Sequence, residues 1–202
     1  MPELVVPVDQ LALVTYPHPT LRHVAKSIKR VDAALKSIAQ RMIDLMYEHR
    51  GVGLAATQVD LPLRMFVWDP TGNRDEGEAR VVLNPTLTKP RGNEIDDEGC
   101  LSLPGINSGV VRAKSIHLHA YDIHGKEIDQ EFTGFEARIL QHETDHLDGI
   151  LFIDRLSPES LREHENALRT FETDFESRQR LGSIPPPDTL KGRLASWEKL
   201  YT

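Results

Sequence analysis

Of all the features in this 202-residue chain, the pentad His142-Glu143-Thr144-Asp145-His146 most narrows what it can fold into. Histidines four residues apart share one face of a helix, so both imidazoles can reach a single metal ion. Glu143, beside the first of them, stands where its carboxylate can reach a metal-bound water and act as general base. The blander alternative is a helix whose two histidines are surface or core groups.

A catalytic metal site usually has three protein ligands and an open position, so a third donor must come from elsewhere in the chain. A histidine ten residues after the first would mark a metzincin, but that position is Phe152, although Gly149 stands where that family has its glycine. A downstream carboxylate, Glu163 or Glu165, is one candidate, as in thermolysin-like peptidases. Cys100 is the other, since a thiolate binds zinc or ferrous iron strongly. Cys100 is the chain's single cysteine, which excludes an intrachain disulfide. It lies in Glu98-Gly99-Cys100-Leu101-Ser102-Leu103-Pro104-Gly105, where the glycines and proline let the backbone bring a side chain and an adjacent N–H to one point. Taken alone, a lone cysteine is more often a small buried hydrophobe.

A third segment, Gly51-Val52-Gly53-Leu54-Ala55-Ala56-Thr57-Gln58, has the glycines of a phosphate cradle but lacks the Lys-Ser/Thr and the preceding strand of a P-loop. Its small residues suit close backbone approach to a ligand, and Gln58 offers an amide donor; an ordinary helix-to-strand connection reads equally well.

The rest of the chain is that of a globular protein. A hydrophobic fraction of 39% and a charged fraction of 27% exclude wholesale disorder, and the length suits one domain. Pro7 and Asp9 interrupt the short apolar run near the N-terminus, so neither a signal peptide nor a transit peptide is expected there. No stretch of about 20 apolar residues could span a bilayer. The net charge of −7 argues against non-specific binding of DNA or other nucleic acid.

Periodicity predicts a helix from Asp32, its N-cap, to His49, on which Leu35, Ile38, Met42, Leu45 and Met46 recur at three and four, with Gly51 just past its end. Short strands are expected at Arg64–Asp69 and Arg80–Leu83, the second ended by Asn84-Pro85. Ser115–Asp122 alternates, with Ile116, Leu118 and Ala120 on one face and His117 and His119 on the other; the two histidines are read as solvated or structural rather than ligating. Thr133 and Glu136 suggest a capping box for the helix of the pentad. A last helix is expected over 158–181, with a stripe of Leu161, Leu168, Phe171 and Phe175. The fold class is therefore α+β: short antiparallel strands around a central helix carrying HExxH, plus a C-terminal helix. One catalytic domain over 1–182 is expected, then a proline-containing tail, 183–202, with a short helix near Trp197.

Taken together, the three chemistry-bearing segments resemble one family, peptide deformylase. Residues 51–58 match its GxGLAAxQ loop, 98–102 its EGCLS segment and 141–149 its QHExDHLxG helix, in the family's order and with family-like spacing. Pro19-Thr20-Leu21-Arg22 also matches, and the likeness covers residues 10–157. The resemblance implies a hydrolase that removes the formyl group from the N-terminal formyl-methionine of newly made proteins and releases formate. It implies Cys100, His142 and His146 as ligands of one divalent ion, Fe(2+) foremost in the cell, with Zn, Ni or Co also compatible. A metal-bound hydroxide would attack the formyl carbon, with Glu143 as general base and then acid, and with Leu101 N–H and the Gln58 amide holding the oxyanion.

Phe135, Arg138 and Ile139 precede His142 by seven, four and three residues and so share the ligand face; with Val52 they are the expected substrate pocket. An extended peptide would pair with the strand edge Gly51–Gly53. By analogy with the family, Glu98 and Arg112 form an ion pair that fixes the Cys100 loop. The implied partners are N-formyl-methionyl nascent peptides, with transient ribosome association and no membrane, in the bacterial cytoplasm rather than an organelle. Against direct docking on RNA, residues 158–181 carry six acidic and four basic side chains.

Overall fold

In β2 (Met65–Trp68) all four side chains are buried, Met65 and Val67 in one apolar cluster, Phe66 and Trp68 in another. A strand buried on both faces must lie between two layers. The computed structural model, which describes residues 6–202, shows those layers. Five antiparallel strands run in the order β1 (Gly53–Ala55), β2, β3 (Arg80–Gly99), β4 (Asn107–Tyr121) and β5 (Glu127–Thr133). One face of the sheet packs on α1 (Ala33–Glu48) and the other on α2 (Gly134–Leu147).

Helix α1 follows its periodicity. Asp32 accepts a hydrogen bond from the Leu35 N–H at 2.9 Å, and Leu35, Ile38, Met42, Leu45 and Met46 are all buried. Each such side chain contributes about 1.5–3 kcal/mol by leaving water. The left-handed residue that ends the helix is Arg50 (φ 57°), and Gly51 then donates its N–H to the Met46 carbonyl at 2.8 Å.

The strands depart from the sequence reading in their extent. β3 does not stop at Asn84-Pro85 but runs on to Gly99. Asn84 (φ 52°) takes up one extra residue in a bulge, so that Leu83 pairs with Tyr121 and Thr86 with His119; Pro85, which has no N–H, falls inside that bulge. The Asn84 side chain meanwhile accepts from Ile28 N–H and donates to the Ile28 carbonyl, both at 2.8 Å, tying the N-terminal segment to the sheet. A second bulge follows between Thr88 and Arg91. β4 begins eight residues earlier than Ser115, at Asn107. Ile116, Leu118 and Ala120 are buried beneath α2 as their alternation requires. β5 was not expected, because Phe132 alone among its residues is buried.

Helix α2 has no capping box. Thr133 is still paired with Ser115 as the last residue of β5, Gly134 (φ 58°) turns the chain directly into the helix, and the Thr133 side chain makes no cap hydrogen bond. Helix α3 (Pro158–Arg180) is capped by Ser157 and lies on the surface; Leu168 and Phe171 cover a third cluster around Leu103, Val110 and Phe152, whereas Leu161 is exposed. After Gly182 the structure holds a full helix, α4 (Pro187–Tyr201), in place of a short one near Trp197. Its Trp197 and Tyr201 enter the α1 cluster, and Pro187 serves as a favourable first helical residue.

Candidate active site

The β3–β4 connection delivers Cys100. Gly99 pairs with Asn107 to close the hairpin, and a Cβ on Gly99 would stand 2.3 Å from the Asn107 side-chain oxygen, so any larger residue there would require the Asn107 side chain to swing aside. Within the loop Leu103 N–H bonds the Cys100 carbonyl at 2.9 Å and Ile106 N–H the Leu103 carbonyl at 3.1 Å. The loop brings Cys100 Sγ to 3.2 Å from His146 Nε2, which is itself 3.2 Å from His142 Nε2. The three donor atoms lie within 4.8 Å of one another. One thiol and two imidazoles so placed have no common protein partner, and they match the donor set that zinc and ferrous iron accept. Glu163 and Glu165 are exposed on α3 and join no such group, which removes the alternative ligand set.

Behind these donors lies a buried charge network. Glu98 takes two bonds from Arg112, both 2.8 Å, one from Arg138 at 2.7 Å, and contacts His142 Nδ1 at 2.9 Å. The expected Glu98–Arg112 pair is thus present, and it also orients an imidazole so that Nε2 faces Cys100 and His146. Burial alone would raise the Glu98 pKa, but the bonds from Arg112 and His142 outweigh it and hold the carboxyl well below the usual range. Burial disfavours the His142 imidazolium, yet Cys100 and Glu98 more than offset this and raise it to about 10; a cation at Nε2 would stand in for that proton. His146 is pushed the other way, by burial first and then by the His142 charge.

Asp145, a spacer in the sequence reading, accepts bonds from both Arg112 and Arg155. The only signal for that role was an acidic residue on the buried side of a helix.

Glu143 is 4% exposed, and its Oε2 has no hydrogen-bond partner. Burial pushes its pKa up to about 7, opposed by the His142 charge and aided by that of Glu98. A Cβ on Gly53 would fall 2.4 Å from Glu143 Oε1, and one on Gly51 2.7 Å from Leu101 Cδ1. The glycines of this loop therefore allow close approach to other parts of the chain, not only to a ligand. Gln58, in the single 3₁₀ turn after β1, accepts from Ala55 N–H at 2.9 Å through Oε1, which fixes the amide. Its NH₂ group then faces Ser102 Oγ at 3.2 Å and Cys100 Sγ at 3.4 Å.

These groups open onto a cavity of about 490 Å³ whose wall includes Gln58, Cys100, Leu101, His142 and Glu143. All five expected pocket residues, Val52, Gly53, Phe135, Arg138 and Ile139, also line it. Phe135 is 53% exposed, whereas Ile139 is buried. The Arg138 guanidinium is directed away, onto Glu98 and the carbonyls of Val110 and Glu94, so only its stem can serve a ligand. Arg50 and Ile106, which the sequence did not single out, line it as well.

Comparison with known proteins agrees with this geometry. The chain is 56% identical over 192 residues to the peptide deformylase of Rhodopirellula baltica, covering 95% of this chain and 96% of that protein. It is 39% identical to the chloroplastic peptide deformylase 1B of Oryza sativa subsp. japonica, over 91% of this chain and 68% of that one. A plant peptide deformylase crystal structure superposes with a TM-score of 0.82 at 38% identity, covering 88% of this chain and 96% of the other. Residues 10–162 match the family model for polypeptide deformylase, and the chain belongs to that family.

Proposed function

We propose that Cys100, His142 and His146 hold the one divalent ion with which this hydrolase removes the formyl group from the N-terminal formyl-methionine of newly made proteins. The observation that carries the residue assignment is the meeting of one thiol and two imidazoles within 4.8 Å beside a buried carboxyl. Thiolate with two imidazoles suits Fe(2+), the ion we assign in the cell, and also accepts Zn, Ni or Co. When bound, the cation supplies Lewis acidity, lowering the pKa of a water and polarising the formyl carbonyl.

The chain's own groups do the rest. Glu143 Oε2, buried and unpartnered, takes the proton of the attacking water and returns it to the departing amine, which leaves formate and a free N-terminal methionine. The Gln58 NH₂ and the Leu101 N–H stabilise the developing oxyanion, each such donor typically worth ~3 kcal/mol of barrier. Glu98 positions His142. Val52, Phe135, Ile139 and the Arg138 stem receive the methionine side chain. β1 is the edge strand of the sheet, so a peptide can add beside Gly53 by backbone pairing.

Among the described residues no helix is long and apolar enough to cross a membrane. The need to keep the Cys100 thiol reduced supports a reducing compartment, and we assign the protein to the bacterial cytoplasm because the relative 56% identical to it is bacterial. Direct docking of α3 on RNA is disfavoured, because its acidic residues outnumber the basic ones.

The test is formate release from formyl-Met-Ala by protein purified without oxygen, beside Cys100→Ser. The variant is expected to lose both metal and turnover; if both survive, the ligand assignment is wrong.

A further inference from the structure

We infer that the exposed face of the β4–β5 hairpin carries a second metal site, formed by His117, His119 and Asp129 and suited to a borderline divalent transition metal such as zinc. It shares no residue with the cavity described above.

Strand register builds the site. His117 and His119 are two apart in β4 and so project from one face, the face opposite Ile116, Leu118 and Ala120. Asp129 of β5 pairs directly with His119 and lies diagonal to His117. A slip of one residue would bring Ile128 or Gln130 to that place. The buried face forbids the slip, because Ile116 is paired with Phe132 and both are in the core.

The donors already converge. His119 Nδ1 is 2.9 Å from Asp129 Oδ1, and His117 Nε2 addresses the same oxygen at 2.5 Å. The two rings are 4.7 Å apart between centroids, and all three donor atoms lie within 4.8 Å of one another. Ligands at about 2.1 Å around a tetrahedral ion are separated by about 3.4 Å, so the carboxylate need open by less than about 1 Å. The side chains have room for that movement: His117 is 19%, His119 44% and Asp129 53% exposed. The same exposure lets water complete the coordination.

Chemistry narrows the ion. Two imidazoles favour zinc, copper or nickel, whereas calcium and magnesium require oxygen donors. Glu131, paired with His117 in the register, adds a carboxylate beside the site. Lys89 opposes it, since its charge also reaches Asp129.

The alternative is a plain hydrogen-bonded ladder, and counting metal decides between them. Zinc titrated into the holoenzyme by calorimetry, with elemental analysis after desalting, is expected to show one equivalent beyond the active-site ion. The paired substitution His117→Gln/His119→Gln is expected to remove that equivalent and leave turnover of formyl-Met-Ala unchanged. Asp129→Asn keeps the shape of the hairpin and is expected to weaken the same binding by about tenfold or more. Cys100→Ser is expected to retain it, which separates this site from the catalytic one. No further equivalent in the wild-type protein, or one that persists in the doubly substituted protein, would overturn the inference.

Discussion

Gly53→Ala tests the placement of Glu143 without replacing any side chain of the candidate site. The added Cβ would lie 2.4 Å from Oε1, 2.8 Å from Cδ and 2.9 Å from Cγ of Glu143, where ordinary contacts begin at 3.4 Å. Because Cγ and Cδ are involved as well as the tip, rotating the carboxylate cannot relieve the overlap, and the group must retreat by about 1 Å. A displacement of that size at a proton-transferring group costs about 10²-fold in rate. Overpacking a buried site costs about 1–3 kcal/mol, and a 2 kcal/mol loss lowers Tm by about 4–8 °C in a chain of this size. Gly53 does not occupy the left-handed region, so backbone strain does not confuse the result. Gly125→Ala is the control: its Cβ meets nothing within 4 Å but its φ is 80°, so about 1 kcal/mol of stability and no turnover should be lost. The assay is kcat/KM for formyl-Met-Ala alongside metal content and a thermal melt. Turnover of Gly53→Ala within about threefold of wild type, at full metal content, would refute the reasoning.

Glu98→Ala leaves Arg138 buried without a carboxylate and Arg112 with Asp145 alone, and should cost about 3–5 kcal/mol by urea denaturation; a loss below about 1 kcal/mol would mean the network is dispensable. Trp197→Ala removes a buried indole from the α1 cluster and is expected to cost about 3–5 kcal/mol; a loose tail would lose almost nothing. Asp32→Ala deletes the α1 cap and should cost about 1 kcal/mol at neutral pH. The Leu35 N–H, then Arg30 and Tyr201, lower the folded Asp32 pKa against the opposing cost of burial. Its contribution is therefore complete above the unfolded value of about 3.9 and disappears as pH falls through the lower folded one. The gap between wild type and Asp32→Ala should close over that acid range, and a gap that persists there would count against the carboxylate as its source.

Helices that bury one stripe and carry a polar cap were readable from the chain, as α1 and its Asp32 show. The candidate site was readable for a related reason: His142 and His146, four apart, must share a helical face whatever surrounds them. What escaped was structure fixed only by partners far along the chain. β3 continues past a proline because the bulge at Asn84 absorbs it, and nothing local announces that. β5 presents Glu127, Asp129 and Glu131 outward and buries only Phe132, so its hydrophobic pattern is faint. α4 was obscured by the run of three prolines at its start, Pro185 to Pro187, although Leu190, Leu194, Trp197 and Tyr201 recur at four, three and four. The role of Asp145 depends on Arg112 and Arg155, which only the folded chain brings near.

The bulge at Asn84 also bears on how the protein ages. Its amide imitates a peptide group, one oxygen and one nitrogen each matched to Ile28, so conversion to aspartate would remove the donor and set a carboxylate against the Ile28 carbonyl. The common route to that lesion is attack on the side-chain amide by the backbone nitrogen of the next residue, which must carry a hydrogen. Here the next residue is Pro85, whose nitrogen has none to lose. The proline that looked like a strand terminator thus shields from deamidation a side chain that stitches the N-terminal segment to the sheet.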